Sequence, residues 1–247
     1  MKVAVLDWGI GGVPCAQGLR SRCPNLDIVY LSDSGHTPYG LLPRGRLAER
    51  VRWLIERGDA ELTLVACNAA SSVLDTLDST AGVEGLVDFA LDLALETQAG
   101  SIGVLAGRRV VTDEIYSGPL RAAGRVVIDS CGQPLSALVE RGELSGSGVT
   151  QAVAQCVAPL TGVSTVLLGC THYAALTEVL SAALPHVLWL DPVPRMLDRV
   201  TERYGLATVQ GGGTLSAFTS GSYDEMSRAA ASVYGYTMPP SPLDPRP

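Results

Sequence analysis

Two segments of the chain share one pattern: a short, mostly apolar run that leads to a cysteine and then to a helix-like stretch. The first run, at 62–66, precedes Cys67, and the second, at 163–168, precedes Cys170 by one glycine. A short run without alternating polar residues predicts a strand buried on both faces, which is typical of parallel sheets covered by helices. Cys170 lies 103 residues after Cys67, about the length of one small domain. The chain is therefore expected to present two thiols from two similar halves.

Apolar runs alternate with helix-like stretches along the chain, and the alternation restarts after about residue 95. The predicted helices include one over 69–77 and one over 110–122. This order predicts an α/β protein made of two pseudo-symmetric parallel-sheet domains, with the active site in the cleft between them. A last strand and helix after the glycines at 211–213 are expected to return to the first domain. The predicted boundaries are 1–94 plus 209–236 for the first domain, 95–208 for the second domain, and 237–247 for a flexible tail.

Charge and composition narrow the classes of function. The net charge is −7 and no long cluster of Lys and Arg occurs, so a nucleic-acid partner is not expected. No apolar stretch is long enough to cross a membrane, and Asp7 interrupts the first apolar run too early for a signal peptide. The six cysteines form no CxxC pair and only three histidines are present, so neither a disulfide framework nor a metal site is predicted. A cytoplasmic location is the expectation.

The lysine content constrains the mechanism. Lys2 is the only lysine of the chain, and it precedes the first predicted strand. An enzyme that uses pyridoxal phosphate needs a lysine inside its site to form the Schiff base. We therefore expect amino-acid chemistry here to proceed without a cofactor.

Two thiols that flank a substrate from opposite faces are suited to proton transfer by two bases. A thiol must first become a thiolate, and a helix N-terminus lowers its pKa. Because Cys67 and Cys170 each precede a predicted helix, both are expected to favour the anion. Asp7 ends the first strand and His172 lies two residues after Cys170, so each is a candidate proton relay for one thiol. The turn at 9–12 is expected to direct backbone N–H groups towards a carboxylate.

Five motifs occur in the order of a known family. Residues 7–12 (DWGIGG) are similar to DSGIGG, 33–40 (DSGHTPYG) to DTxxxPYG, and 65–71 (VACNAAS) to VACNTAS. Residues 138–142 (LVERG) resemble LVEEG, and 169–173 (GCTHY) match that family's second cysteine motif. On these motifs the chain resembles the glutamate racemase branch of the aspartate/glutamate racemase superfamily along almost its whole length.

The resemblance implies cofactor-independent interconversion of L- and D-glutamate, a D-amino acid of peptidoglycan biosynthesis. It makes Cys67 and Cys170 the paired acid and base, supported by Asp7, His172 and Glu140. The positions that the resemblance assigns to substrate binding are Trp8, Pro38, Tyr39, Gly40, Asn68, Ala69 and Thr171. The implied partner is a small amino-acid substrate, no metal is implied, and assembly as a homodimer is left open.

Several hydroxyl residues of the family are replaced. Trp8 stands in place of a serine, Ala69 in place of a threonine, and Gly107 and Val110 fall in a segment where both threonines of the family's GTxxT are missing. Arg108 or Arg109 is an open candidate for replacing these lost donors by bidentate pairing. The motifs for proton transfer are intact, whereas those that recognise glutamate are altered, so a different amino acid is an alternative substrate.

Two other interpretations stay open from the sequence. The chain is alternatively a non-catalytic homologue that binds a ligand or a partner. It is also alternatively an isomerase of a dicarboxylate that uses one cysteine as a nucleophile, which a covalent cysteine adduct would reveal.

Overall fold

The computed structural model describes residues 1–237 and 241–242, and it contains two parallel sheets with helices on their faces. The strands are β1 (Lys2–Asp7), β2 (Asp27–Ser32), β3 (Leu62–Val65), β4 (Val83–Gly85), β5 (Ser101–Ala106), β6 (Val126–Cys131), β7 (Thr165–Gly169), β8 (Leu188–Leu190), β9 (Leu215–Thr219) and β10 (Ser241–Pro242). The α-helices are α1 (Val13–Arg22), α2 (Arg44–Gly58), α3 (Asn68–Ser71), α4 (Leu86–Leu95), α5 (Arg108–Thr112), α6 (Ser117–Ala122), α7 (Gln133–Glu140), α8 (Ser147–Val157), α9 (Thr177–Ala183), α10 (Pro192–Arg203) and α11 (Tyr223–Tyr234). The predicted α/β class with two parallel sheets is confirmed.

The two sheets repeat one strand order. Within the described residues, the first sheet runs β10-β9-β2-β1-β3-β4 and the second runs β6-β5-β7-β8. The order 2-1-3-4 of the first half thus returns as 6-5-7-8 in the second. β1 pairs in register with β3 through Leu6 and Val65, and β5 pairs with β7 through Ala106 and Gly169. The third strand of each half therefore leads to a cysteine at the carboxyl edge of its sheet.

The strands of the first sheet fall in the ranges predicted for the first domain and the tail, and those of the second sheet fall in 95–208. One buried apolar cluster includes residues of both sheets, such as Val5 of β1 and Leu105 of β5. The sheets therefore share a packed core, and the domain boundaries themselves stay a prediction. Most of the predicted flexible tail at 237–247 lies outside the described residues; of it, 241–242 pair with β9.

Several helices differ from the expectation. The helix predicted over 69–77 is only the four residues of α3 and a short 3₁₀ helix at Leu74–Thr76. The helix predicted over 110–122 breaks into α5 and α6 because Glu114 adopts a positive φ of 49° between them. β4, α4 and α10 were not predicted. For α10 a signal existed: Asp191 caps the helix by accepting from the Val193 N–H at 2.9 Å, and Pro192 follows it.

Candidate functional site

Both cysteines open onto one cavity of about 220 Å³, which we call the cysteine cavity. Cys67 follows β3 and Cys170 follows β7, and both have extended backbone angles before a helical turn begins. All twelve residues singled out from the sequence for catalysis or substrate binding line it: Asp7, Trp8, Pro38, Tyr39, Gly40, Cys67, Asn68, Ala69, Glu140, Cys170, Thr171 and His172. The carboxyl edges of the two sheets thus converge on one site, which is where open parallel sheets bind ligands.

One helix supplies cavity residues that sequence reasoning missed. Gln133, Ser136 and Ala137 line the cysteine cavity together with Glu140, and all four belong to α7. They are spaced three, four and seven residues before Glu140, which places them on one face of the helix. That spacing, read backwards from Glu140, was the available signal.

Cys67 is held as a thiol. Its side chain is 8% exposed, and burial, followed by the negative charge of Asp7, raises its pKa well above the ordinary value. Cys67 shares a hydrogen bond with Asp7 and accepts one from the Ala70 N–H. The predicted lowering of its pKa by a helix N-terminus is wrong, because α3 has four residues and its field does not offset the loss of solvation.

Asp7 is buried between the two sheets. Its Oδ1 accepts from the Trp8 N–H at 2.5 Å, and its Oδ2 accepts from the Thr171 hydroxyl at 3.0 Å. Burial raises the pKa of the Asp7 carboxyl, while the nearby charge of His172 acts in the opposite direction. Asp7 is therefore a group that can hold a proton beside Cys67 more readily than an exposed aspartate.

The side chains of Cys170, His172 and Glu140 contact one another in series. Its Sγ lies 3.6 Å from Nδ1 of His172, and Nε2 of His172 lies 2.5 Å from Oε1 of Glu140. Burial alone would lower the pKa of His172, but the hydrogen bonds to Cys170 and Glu140 and their negative charges raise it well above the ordinary value. His172 is therefore in a position to exchange a proton with Cys170.

The glycines of the turn after β1 leave room for the side chains of His172 and Glu140. A Cβ at Gly9 would lie 1.8 Å from Oε1 of Glu140, and one at Gly11 would lie 2.5 Å from Nδ1 of His172. The N–H of Ile10 donates to Oε1 of Glu140 at 2.7 Å. The turn therefore directs a backbone N–H to a carboxylate, as predicted, and that carboxylate is the one that holds His172.

Asn68 presents a free donor to the cavity. The buried hydroxyl of Tyr116 donates to Oδ1 of Asn68, and burial raises the pKa of Tyr116, which keeps that hydroxyl protonated. This bond fixes the orientation of the amide. Nδ2 of Asn68 is buried and has no partner among the described residues, and such a group needs an acceptor. Tyr116 was not predicted, because it lies 48 residues from Asn68 in the sequence.

Trp8 stands at the wall of the cysteine cavity. Its Nε1 donates to the His36 carbonyl at 2.9 Å, which fixes the indole. Trp8 and Glu140 also line a neighbouring cavity of about 590 Å³ that extends along α11. Trp8 therefore lines both the cysteine cavity and this neighbouring cavity.

The two arginines that were candidates for replacing the lost hydroxyl donors do not place their side chains in the cysteine cavity. Arg109 pairs with Asp113 at 2.8 Å, and Arg108 meets the site only through its backbone N–H, which donates to Oε1 of Gln133 at 3.0 Å. Neither lines the cysteine cavity. In the part of the chain that the structure describes, no group of three or more His, Cys, Asp or Glu side chains is placed to hold a metal. Over the same residues, no helix combines the length and the apolar composition of a membrane span.

The chain is similar to known racemases over most of its length. The model of the Asp/Glu/Hydantoin racemase family matches residues 41–199. A glutamate racemase of Herpetosiphon aurantiacus is 35% identical over 89% of this chain and 92% of its own. A glutamate racemase of Stutzerimonas stutzeri is 31% identical over 94% of both chains.

Solved structures share the fold. A glutamate racemase isoform of Bacillus anthracis superposes with a TM-score of 0.87 at 24% identity, covering 98% of this chain and 97% of its own. A glutamate racemase of Francisella tularensis, solved with D-glutamate, has a TM-score of 0.86 at 20% identity and covers 98% of this chain and 96% of its own.

Proposed function

Because the chain belongs to the Asp/Glu/hydantoin racemase family, we propose that Cys67 and Cys170 interconvert the enantiomers of an amino acid by proton transfer. The protein is an isomerase, an amino-acid racemase of the glutamate racemase type. The observation that carries the two-thiol mechanism is that both sulfurs open onto one cavity from two different sheets.

The environments of the two thiols give each its starting role. Cys170 lies 3.6 Å from Nδ1 of His172, which can take a proton from its sulfur, and we therefore assign the role of base to Cys170. Cys67, whose pKa is raised by burial, starts as the thiol. The first thiol to act is thus Cys170 as the base, and Cys67 acts as the acid.

The transfer balances without a further reactant. The Cys170 thiolate takes the α-proton as the α-carbon–hydrogen bond breaks, and the electron pair stays on the substrate. The Cys67 thiol then gives its proton to the opposite face of the α-carbon, which inverts the centre. The two thiols end with exchanged protonation states, and Asp7 and the His172–Glu140 pair are placed to return protons between turnovers.

The polar groups of the cavity suit the common part of an amino acid. Nδ2 of Asn68 is free to donate to an α-carboxylate, and the carboxylates of Asp7 and Glu140 lie on the same cavity, where they favour an α-ammonium. These contacts would hold the α-carbon between the two sulfurs.

The test is incorporation of deuterium at the α-carbon from deuterated water, measured with L- and D-amino acids. We expect Cys67→Ala and Cys170→Ala each to abolish racemisation, because each removes one of the two proton carriers. Cys131→Ala removes an exposed cysteine and is the matched control, expected to racemise as the wild type does. Racemisation that survives in the double variant would exclude the two-thiol mechanism. A covalent cysteine adduct with substrate would instead favour the one-cysteine isomerase.

We also propose a cytoplasmic setting, which the free state of all six cysteines supports, since free thiols are typical of reducing compartments. The net charge of −7 supports the lack of a nucleic-acid partner. Homodimer formation is the remaining prediction from the sequence, and light scattering in solution measures it directly.

A further inference from the structure

We propose that the cysteine cavity selects an amino acid with an uncharged side chain over a dicarboxylate such as glutamate. The inference rests on the proposed racemase function and concerns the substrate class of the same site. Three features of the cavity lining carry it: its charges, its hydrogen-bond donors and its apolar wall.

The charges of the lining disfavour a second carboxylate. The lining residues include no lysine or arginine, whereas two of them, Asp7 and Glu140, are acidic. The one cationic group, His172, is already engaged by Cys170 and Glu140. The α-carboxylate and α-ammonium of an amino acid offset one another, but the carboxylate of a dicarboxylate side chain would enter this negative field without a counter-charge.

The hydroxyls of the lining are already committed. Thr171 donates to Asp7, Tyr39 donates to Oδ2 of Asp33 at 2.8 Å, and Ser136 donates to the Gln133 carbonyl at 3.0 Å. Each hydroxyl has a single proton to give. Among the described side chains of the lining, Nδ2 of Asn68 therefore stands as the buried donor without a partner, and it serves one carboxylate, the one that every amino acid carries.

Gln133 closes the end of the cavity where α5 begins. Its Oε1 accepts the Arg108 N–H at 3.0 Å, so the first backbone donor of α5 is bonded to a neutral amide. The same amide is packed against the backbone, because a Cβ at Gly40 or Gly107 would lie 2.9 Å or 3.3 Å from Oε1. Nε2 of Gln133 has only a 3.5 Å contact with the Ser136 hydroxyl. The N–H groups of this one neutral amide do not satisfy a carboxylate, which offers about four acceptor sites.

The rest of the wall is apolar. Trp8, Ala69, Val110 and Ala137 line the cavity, and the bond to the His36 carbonyl holds the Trp8 indole in place. An apolar or small polar side chain gains free energy from contact with such a wall. An ionised carboxylate loses its hydration there without replacement.

The first test measures kcat/KM of the wild-type protein for α-proton exchange with a panel of amino acids. Alanine, serine, valine and glutamine represent uncharged side chains, and glutamate and aspartate represent dicarboxylates. We expect at least one uncharged amino acid to exceed glutamate by about tenfold or more. A preference for glutamate would overturn this inference and leave the racemase function intact. Absence of exchange with the whole panel would overturn the racemase function and, with it, this inference.

The second test adds donors to the wall. Ala69→Thr combined with Val110→Thr introduces two hydroxyls at lining positions, the second by a swap of nearly equal shape. We expect the ratio of kcat/KM for glutamate to that for the preferred uncharged amino acid to rise about tenfold or more. Ala123→Thr adds the same hydroxyl at an exposed position and is the control, expected to leave the ratio unchanged. An unchanged ratio in the double variant would contradict the role given to the missing donors.

Discussion

The two thiols of the cysteine cavity differ in their neighbours more than in their backbone settings. Cys67 shares a hydrogen bond with the buried carboxyl of Asp7, whereas Cys170 faces the imidazole of His172. The carboxylate opposes ionisation of the first thiol. Single side chains thus give two similar strand ends different surroundings.

Burial of the ionised Asp7 carboxylate lowers the stability of the fold, and a substitution of Asp7 tests this effect. Its pKa in the folded protein lies above the unfolded value of about 3.9, so the ionised form destabilises the fold. This cost is present above the folded pKa and disappears as the pH falls below both values. We expect Asp7→Asn to raise Tm at pH 8, with a gain that shrinks towards acid pH, and to lower kcat by about 100-fold.

Calorimetry over a pH series checks this expectation, with Asp59→Asn as the control. The Asp59 side chain is 95% exposed and adopts a positive φ that asparagine also tolerates. A loss of Tm in Asp7→Asn at pH 8 would contradict the stability cost assigned to Asp7.

Among the secondary-structure elements, a buried ion pair connects the end of β2 with α2 and with the segment after β9. Asp33 follows β2 and is fully buried; it accepts from Arg50 of α2 through both oxygens, at 2.6 and 3.0 Å. The Ser220 hydroxyl, just after β9, donates to it at 2.7 Å, and the hydroxyl of Tyr39 donates to it from the cavity wall. The carboxylate thereby orients the wall of the site through the elements that surround it.

Removal of that carboxylate is expected to destabilise the protein. Asp33→Ala leaves the Arg50 guanidinium, whose side chain is 13% exposed, without its carboxylate, and breaking a buried pair in this way costs about 3–5 kcal/mol. Urea denaturation measures the free energy of unfolding. Asp75→Ala removes the partner of Arg44 in an exposed pair and should cost at most about 1 kcal/mol. Equal effects of the two substitutions would contradict the role given to burial.

In the whole molecule, buried hydrogen bonds between the two halves of the chain hold the site together. Thr171, after β7, donates to Asp7 at the end of β1, and Tyr116, before α6, donates to Asn68 of α3. Both bonds are buried and join residues of the two different sheet regions. The cavity geometry therefore depends on how the two halves pack.

Tyr116→Phe tests that dependence. The substitution keeps the ring and leaves Oδ1 of Asn68 unpaired, which is expected to lower the free energy of unfolding by about 1–3 kcal/mol. Because the amide also loses its fixed orientation, KM for the amino acid should rise. Steady-state kinetics and urea denaturation check both effects, and Tyr223→Phe, at a side chain 40% exposed, is the control. An unchanged KM would contradict the positioning role of Tyr116.

Much of the fold and of the site was predictable because the signals are local. Apolar runs such as Leu62–Val65 indicate buried strands without any knowledge of their partners. The GCTHY motif places Cys170 and His172 two residues apart, and that spacing already predicts their contact. The break of a predicted helix at Glu114 was not foreseen, since a positive φ at a residue other than glycine has no sequence signature.

Local residue patterns predicted the α/β class, the two similar halves and the residues that meet at the carboxyl edges, since each follows from patterns within a few positions. Only tertiary packing sets the surroundings of each thiol, the orientation of the Asn68 amide and the cavity side chains that keep a donor without a partner. These depend on burial and on contacts between residues far apart in the chain, such as Asp7 and Thr171 at a separation of 164 residues. Solvation and charge at a site are sums over everything packed around it, and only the folded chain brings those groups together.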